Sequence, residues 1–538
     1  MQARTQRSLL CGVLLALSPV LDAQDPDARP IRSALPERAW EREPAPPVVV
    51  PSQRLPEGVT SARRLHRLPS VGAAELYTAE DEMRGRRVER SGLVRRSTPL
   101  PLDLAAGAAF ENATEQGELY WSLELESPGA QRVRLHLDQI ELEGGELYVW
   151  TELDGVRFAH GPFDEGDLGL DGLWLPSVPG ERIVLEVRAP HVPRVRVDRI
   201  MHIDRLIEPP QPTTPGGFVP TPCDLDVDCT SETGTQLIRD AVVGLCWEET
   251  PGSTAWCTGT MIVDLDPLTQ VPYLLTAEHC LSTQVQADSL EVYWRYETNG
   301  CGGAQPDIAS LTVTAGADVV VAVPTEGGHD MSLLRLDEPV PPGGSFAGWS
   351  TSTSWNDDLR AVHHRGVGPK QVAFLDNEDL IPFICWQYGV DWSEYEVTRS
   401  TSGFLLWGSS GCGVFNNSGQ LLGHLSGLCC DADTVGSLCE TAGCGDQADT
   451  KQLWGEFEET WDHVSWTLEV GGTLHVDAAH PGPWFGTPTW PYKDLQGPLL
   501  GGWPGVDVLI QGGDYPAGLL FDFEMELRGE NGSVVIGD

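Results

Sequence analysis

The sequence predicts an all-β protein built from several β-rich pieces in series. Short runs of alternating apolar and polar residues recur along it, such as Leu119-Tyr120-Trp121-Ser122-Leu123 and Arg132-Val133-Arg134-Leu135-His136-Leu137. A period of two is the pattern of a strand with one buried face. Turn formers are abundant, with 59 Gly and 41 Pro, which favours strands joined by turns over helix bundles. A length of 538 residues exceeds what one core organises, so about three or four domains are expected. The hydrophobic fraction of 41% is ordinary for chains that bury such cores.

Taken in order, residues 1–23 read as a signal peptide. Arg4 and Arg7 precede an apolar run from Leu9 to Val20, and Ala23 is the cleavage point. That run is short for a bilayer, and no later segment is long and apolar enough to span one. The expected location is therefore secreted, extracellular or periplasmic. Residues 24–107, rich in Pro and Arg with weak periodicity, read as a pro-segment or linker. Residues 108–208 read as a β-sandwich-like pro-domain. Leu147-Tyr148-Val149-Trp150 and Ile183-Val184-Leu185-Glu186-Val187 add strands, and Glu143-Gly144-Gly145 and Pro179-Gly180 mark turns. Residues 209–222 are a linker by composition. Residues 223–464 hold many short strands and end in an expected amphipathic helix from Gln452 to Val464, with Leu453, Phe457, Trp461 and Val464 on one face. Residues 465–538 form a β-rich tail, in which Val506-Asp507-Val508-Leu509-Ile510 and Val534-Val535-Ile536 alternate with glycine turns.

Cysteine and charge divide the chain further. Of 13 Cys, only Cys11 lies outside the stretch from Cys223 to Cys444. Removing the signal leaves an even number concentrated in 223–464, which points to disulfides in an exported domain. No pair of C-x-x-C motifs at zinc spacing is present, so no metal is expected. The net charge of −44 is uneven: residues 1–215 carry 25 Arg against 33 acids, and residues 216–538 carry 10 basic residues against 46 acids. Such an acidic surface argues against nucleic acid and anionic membrane as partners.

Chemistry concentrates in three motifs: Thr276-Ala277-Glu278-His279-Cys280, then Gly328-His329-Asp330 leading the apolar run Met331 to Leu336, then Gly408-Ser409-Ser410-Gly411. His, Asp and Gly-x-Ser-Gly in that order follow the chain order of chymotrypsin-type serine peptidases. A serine hydroxyl needs an imidazole to take its proton, and the imidazole needs a carboxylate to hold its tautomer. Ser410 is the better nucleophile than Ser409, because the glycine must follow the nucleophile directly. The turn would aim the N–H groups of Gly408 and Ser410 at the developing oxyanion.

From Cys223 to about Val464 the chain resembles the bacterial lysyl endopeptidases, a branch of the chymotrypsin-like serine peptidases. The resemblance rests on the triad motifs, on Cys223-Asp224-Leu225-Asp226-Val227-Asp228-Cys229, on Cys257-Thr258-Gly259-Thr260, on Val292-Tyr293-Trp294 with Cys301, and on Ala361-Val362-His363-His364. It implies a chymotrypsin-like double β-barrel of six strands each, with the site between them and His279, Asp330 and Ser410 as the triad. It also implies disulfides Cys257–Cys280, Cys229–Cys301, and Cys223 with Cys430 or its neighbour Cys429. The family's cation-binding Asp-Gln pair is similar to Asp446-Gln447 here, with Ser426 where those enzymes carry His, so Asp446 and Ser426 are the candidate substrate pocket. Phe404 occupies the position where trypsin carries its own specificity carboxylate. Ser409 occupies the position of the trypsin Asp that receives the new N-terminus, so no such ammonium is required. The tail from His475 faintly resembles parallel β-helix repeats.

The expected function is a secreted serine endopeptidase, working through an acyl-enzyme on proteins or peptides after Lys or Arg, without a cofactor. The pro-region is expected to act as an intramolecular inhibitor. Two other readings remain: a catalytically silent trypsin-like binding protein, with Cys412 distorting the turn, and a surface-binding protein whose peptidase is secondary. The first lysine in the chain is Lys370. A strictly lysine-specific enzyme therefore could not release its own pro-region, and Arg199 and Arg205 are the basic sites nearest the 209–222 linker.

Overall fold

The structure is a computed structural model that describes residues 32–39, 47–54, 64–70, 95–103, 111–112, 119–203 except 170, 224–250, 253–265, 270–325, 329–378 except 354 and 357, 395–430 except 404 and 407, 450–468, 473–479, 492–495, 506–515 and 525–536. Nearly all regular structure among them is strand.

Two closed antiparallel barrels share one connectivity. In the first, β1 (Val242–Thr250), β2 (Ser253–Ile262) and β3 (Tyr273–Ala277) form a meander. β4 (Glu291–Trp294) returns to β1 and also pairs with β5 (Thr312–Ala315). After Gly316 the chain continues as β6 (Ala317–Val323), which pairs with β7 (Met331–Leu336), and β7 pairs with β3. β5 and β6 are thus two halves of one bent strand, and the ring closes as six strands. Gly316 makes the bend at φ +82°, where a Cβ would run into the Asp337 carboxylate. The second barrel repeats the pattern. β8 (Leu359–His363), β9 (Gln371–Asn377) and β10 (Glu396–Ser402) form the meander. β11 (Gly413–Phe415) pairs with β8, and β12 (Gln420–Cys430) pairs with β11. β13 (Thr450–Glu456) pairs with both β12 and β10 and closes the ring. Closure removes the exposed edges that an open sheet would carry.

The terminal helix starts later than its apolar spacing predicts. Thr450–Glu456 is the closing strand, with Leu453 and Trp454 fully buried, and the helix runs over Phe457–Leu468. Pairing with two neighbouring strands outweighs a shared helical face. Phe457 and Trp461 pack on Trp349 with ring centroids 5.3 and 4.7 Å away.

Ahead of the barrels lies a two-sheet sandwich. One sheet holds Leu119–Glu126, Arg182–Ala189, Glu146–Leu153 and Val156–Phe163; the other holds Arg132–Glu141 and Arg194–Ile203. Leu123, Leu125, Val149 and Leu185 of the first meet Val133, Leu135 and Val197 of the second in one buried cluster. Residues before position 108 contribute as well. Arg64–Arg67 pairs with Leu119–Glu126, and Arg95–Asp103 pairs with Arg194–Ile203. These are outer strands, and a charged outer strand shows no clean alternation in sequence. Further upstream, Ser33–Ala34 pairs with Gly348–Ser350, and Glu37–Arg38 pairs with Ser345–Phe346, between the two barrels. In the tail, Thr473–Val476, Val506–Tyr515 and Met525–Ile536 lie parallel and adjacent in chain order, the arrangement that stacked β-helix rungs require.

A buried ionic network joins the barrels. Lys370, just ahead of β9, places Nζ 3.0 Å from Glu297 Oε1 and 2.6 Å from the Arg239 carbonyl. Arg239 Nε donates to Glu297 Oε2 at 2.6 Å, and Asp228 pairs with the same guanidinium. Burial alone would raise the Glu297 carboxyl, but Lys370 and Arg239 outweigh it and lower it from 4.5 to about 2. A lowered carboxyl stabilises the fold above its unfolded pKa, and that stabilisation is lost as pH falls through the folded value. Glu297→Gln should therefore cost about 3 kcal/mol at neutral pH. The gap to the parent protein should close between pH 4.5 and 2, as read by urea unfolding across that range.

Candidate active site

His279 stands two residues past the end of β3, and Asp330 immediately precedes β7, which pairs with β3. The pairing brings the two together. The Asp330 carboxylate uses both oxygens on His279: Oδ1 accepts the backbone N–H at 2.9 Å, and Oδ2 meets ring Nδ1 at 2.7 Å. With Nδ1 bearing the proton, Nε2 carries the lone pair. Burial would raise the Asp330 carboxyl, but the His279 ring and N–H outweigh it and hold it below its usual range. Asp330 itself sits at φ +50°, a left-handed conformation that Asp tolerates better than most residues.

His424 of β12 braces this aspartate from the second barrel. Its Nε2 donates to the carbonyls of Asp330 at 2.8 Å and His329 at 3.0 Å. Burial lowers its pKa, so it serves as a neutral donor. Gly455 makes room, since a Cβ there would lie 2.5 Å from the His329 carbonyl and 2.6 Å from the His424 ring.

The Gly408–Gly411 turn is pinned from both barrels. Thr258 of β2 donates its N–H to the Ser410 carbonyl at 2.9 Å and its hydroxyl to the Gly408 carbonyl at 2.7 Å. The adjacent Cys257 is disulfide-bonded to Cys280, beside His279. Gly411 lies so close to Thr258 and Ala277 that a Cβ would be 2.5 Å from the Thr258 carbonyl and 2.8 Å from the Ala277 nitrogen. These links bring Ser410 to the His279 side of the seam. Within the turn, the N–H groups of Ser409, Gly411 and Cys412 are bonded to Leu406, Leu425 and Ser409 carbonyls at 2.9, 2.9 and 3.0 Å. Among the described residues, no acceptor engages the N–H of Gly408 or Ser410. Because the Ser409 carbonyl is held by Cys412, the trans peptide directs the Ser410 N–H the opposite way. Two uncommitted donors on a fixed turn are what a developing oxyanion needs.

Ser409 has a different task from Ser410. It is fully buried, and its hydroxyl accepts from the Leu406 N–H at 3.3 Å and lies 2.9 Å from His363 Nδ1. Burial, with the neighbouring His364 and Arg365, pushes the His363 pKa well down. The ring is therefore neutral, and it shares one hydrogen bond with the Ser409 hydroxyl. A neutral Ser–His bond occupies the place of a charged Asp–ammonium pair.

The expected disulfides Cys257–Cys280 and Cys229–Cys301 are both present. Cys257, Cys280 and His279 place three potential ligand atoms within 4.8 Å, but both sulfurs are spent in the disulfide. Cys412 is a thiol buried in the second-barrel core, and burial pushes its pKa well up. It packs inward as an inert small hydrophobe. Ser426 is buried at a register shift of β12, and its hydroxyl has no partner among the described residues. Phe404, Asp446 and Cys223 lie outside the described residues, as do the side chains of Cys429 and Cys430. Thr258, His424 and the task of His363 lie outside what the motifs alone indicate. The Cys257-Thr258 and His363-His364 segments were signals for two of them, and His424 had none.

Residues 220–436 match the family profile of the lysyl endopeptidase C-terminal domain. A lysyl endopeptidase of Pseudomonas aeruginosa is 27% identical over 216 residues, 37% of this chain and 45% of that protein. The chain thus spans less than half the length of that relative. Among solved structures, the active form of the Rv3671c protease of M. tuberculosis aligns at 15% identity with a TM-score of 0.29, covering 51% of this chain and 99% of that one. Its inactive form aligns at 16% identity and 0.28, covering 46% and 98%. Over residues 220–436 the chain is similar to the lysyl endopeptidases.

If the Ser409–His363 bond shapes the turn, His363→Leu should lower kcat about tenfold or more with KM nearly unchanged. His363→Asn, whose amide oxygen can accept the hydroxyl proton, should recover much of that loss. Steady-state kinetics on a fluorogenic peptide decides, with thermal melts showing that both variants fold.

Proposed function

We propose that this chain is an exported serine endopeptidase that hydrolyses peptide bonds through an acyl-enzyme, after a cationic residue. The observation that carries the reading is the double grip of Asp330 on His279, opposite a turn whose Gly408 and Ser410 N–H groups are uncommitted. In the first half-reaction the Ser410 Oγ bonds to the substrate carbonyl carbon while His279 Nε2 takes its proton. The carbonyl electrons move to oxygen, which the two N–H groups receive. Collapse expels the amine, which leaves with the proton from Nε2, and an ester to Ser410 remains. Water, activated by the same nitrogen, repeats the sequence and frees the carboxylic acid.

Specificity rests on Asp446 and Ser426. A carboxylate in a dry pocket favours a cationic side chain, since an unpaired buried charge is costly. The chain itself is poor in lysine: only Lys370, Lys451 and Lys493 occur. Lys370 is buried on Glu297, and Lys451 is paired with Glu378, which leaves few lysyl bonds open to self-attack. Export is supported by the signal-like residues 1–23. The pro-region reading assigns residues 24–208 to a segment separated by cleavage near the linker, with restraint of the uncut enzyme as its expected effect.

Ser410→Ala should abolish hydrolysis of Lys and Arg peptides, and Asp330→Asn should lower kcat by about 10⁴ through the wrong His279 tautomer. Undiminished hydrolysis by Ser410→Ala would refute the reading. Asp446→Asn should lose the cationic preference, whereas a profile favouring apolar or acidic side chains in the parent enzyme would remove Asp446 from the pocket.

Maturation should spare Arg199. Its guanidinium is 11% exposed and bound to Glu248, Asp171 and Asp198, so no protease reaches that bond while the domain is folded. Cleavage is expected at Arg205 or within 209–222. N-terminal sequencing of the active form and of the Ser410→Ala protein checks this. A start at residue 200 contradicts it, and identical processing of both proteins would exclude self-cleavage.

A further inference from the structure

We propose that the β-sandwich is a resident partner of the barrels: it stays bound after the 209–222 linker is cut and holds the oxyanion turn in its working shape through Trp256. The role in catalysis rests on the peptidase reading above; the persistence of the complex does not.

The junction between sandwich and first barrel is built as a core. Trp174, Met201 and Ile203 of the sandwich form one buried cluster with Cys246, Trp256, Tyr293, Tyr296 and Ile308 of the barrel. Departure of the sandwich would expose this aromatic face to water, which large contiguous apolar patches on stable monomers avoid. Charges are divided across the same junction. Glu291 of β4 is fully buried, accepts the Ser177 N–H at 3.0 Å, and lies 3.9 Å from Nε of the equally buried Arg134. Arg134 Nη1 donates to the Ser289 carbonyl at 2.6 Å, and Arg199 Nη1 to Glu248 at 2.6 Å. Parting such pairs strands charge in a site shaped to exclude water, unlike the loss of a surface ion pair.

The N-terminal arm adds a second grip. Ala34 pairs with Trp349 in antiparallel register, its carbonyl accepts from Gln420 Nε2 at 3.2 Å, and Arg32 and Thr351 exchange backbone and hydroxyl bonds. An added strand of this kind binds through its main chain. The upstream region therefore holds the chain between the barrels as well as the first barrel.

The route to the reaction centre runs through Trp256. Its ring lies edge-on to His364 at 6.1 Å, and Trp256 Cδ1 is 3.2 Å from where a Gly408 Cβ would stand. The His364 N–H donates to the Thr258 hydroxyl that holds the Gly408 carbonyl. One face of the Trp256 cluster is thus sandwich and the other is the oxyanion turn. Bonds joining sandwich to barrel fall on Glu248, Ser289, Glu291 and Ala309.

The test is a full chain carrying a foreign protease site within 209–222, cut after folding and passed over a sizing column, with peptide hydrolysis measured on each fraction. The two pieces should co-elute, and the cut pair should hydrolyse. Met201→Asp, at the junction and outside the catalytic residues, should weaken co-elution and lower kcat at least tenfold with little change in KM. Arg199→Gln should do the same more mildly if Met201→Asp fails to fold. Pieces that separate while the freed barrels hydrolyse as fast or faster overturn the proposal. A co-eluting pair that becomes active only on dissociation overturns it too, since the sandwich would then be an inhibitor alone. If intact, cut and freed forms all fail to hydrolyse, the peptidase reading fails, and co-elution alone then decides whether the sandwich is a lasting partner.

Discussion

Thr258 is the seam on which the site depends. One residue of the first barrel supplies its N–H to Ser410, its hydroxyl to Gly408, and a hydroxyl acceptor to the His364 N–H. Its own carbonyl is held by the Thr276 hydroxyl at 2.9 Å. Each bond is modest alone, about 1 kcal/mol net. Together they convert the docking of two barrels into a fixed geometry for one turn. Electrostatic stabilisation of a transition state works only when donors are already in place before charge develops. The seam is what places them, and the Cys257–Cys280 disulfide ties the same strand to the residue beside His279.

Around that seam, buried histidines act as neutral fittings. His363 is hydrogen-bonded to Ser409, His364 lies against Trp256, its Nδ1 3.0 Å from the Gly368 carbonyl, and His424 donates to Asp330. Burial pushes all three pKa values down, so none changes charge near neutral pH. His279 is the contrast: its side chain is 26% exposed and paired with a carboxylate, the setting of a base that must gain and lose a proton. On the proposed reading, environment alone separates four imidazoles into one acid–base group and three structural ones. Further out, the Lys370–Glu297–Arg239 network and the Glu291 junction perform the same service between larger parts.

Much of this was legible in the sequence because it is local. The His279, Asp330 and Ser410 motifs each carry their signature within a few residues, and the strand alternation of the sandwich and barrels is read with a window of about ten. What escaped was set by contacts between distant residues. Thr258 and Gly408 are 150 positions apart; the Cys257-Thr258 segment marks the residue but not the crossing of its hydroxyl to the other barrel. Gln452–Glu456 reads as the start of a helix because Leu453 stands four residues before Phe457 on one helical face, and only the two strand neighbours of Thr450–Glu456 decide otherwise. Arg95–Asp103 reads as linker because Pro99 and Pro101 argue against a strand, and only an outer strand accommodates them. Ser409 and Ser410 were separable from the first, since glycine follows only one of them; that the other serves as a peg for His363 needed the fold.

Whether His279 and the pinned turn make Ser410 a nucleophile is tested covalently. The folded protein is treated with a fluorophosphonate and the adduct is located by peptide mapping. One adduct is expected per molecule, on Ser410, and none in His279→Ala. An adduct on Ser409, or none in the parent protein with its folded state verified, would contradict the account.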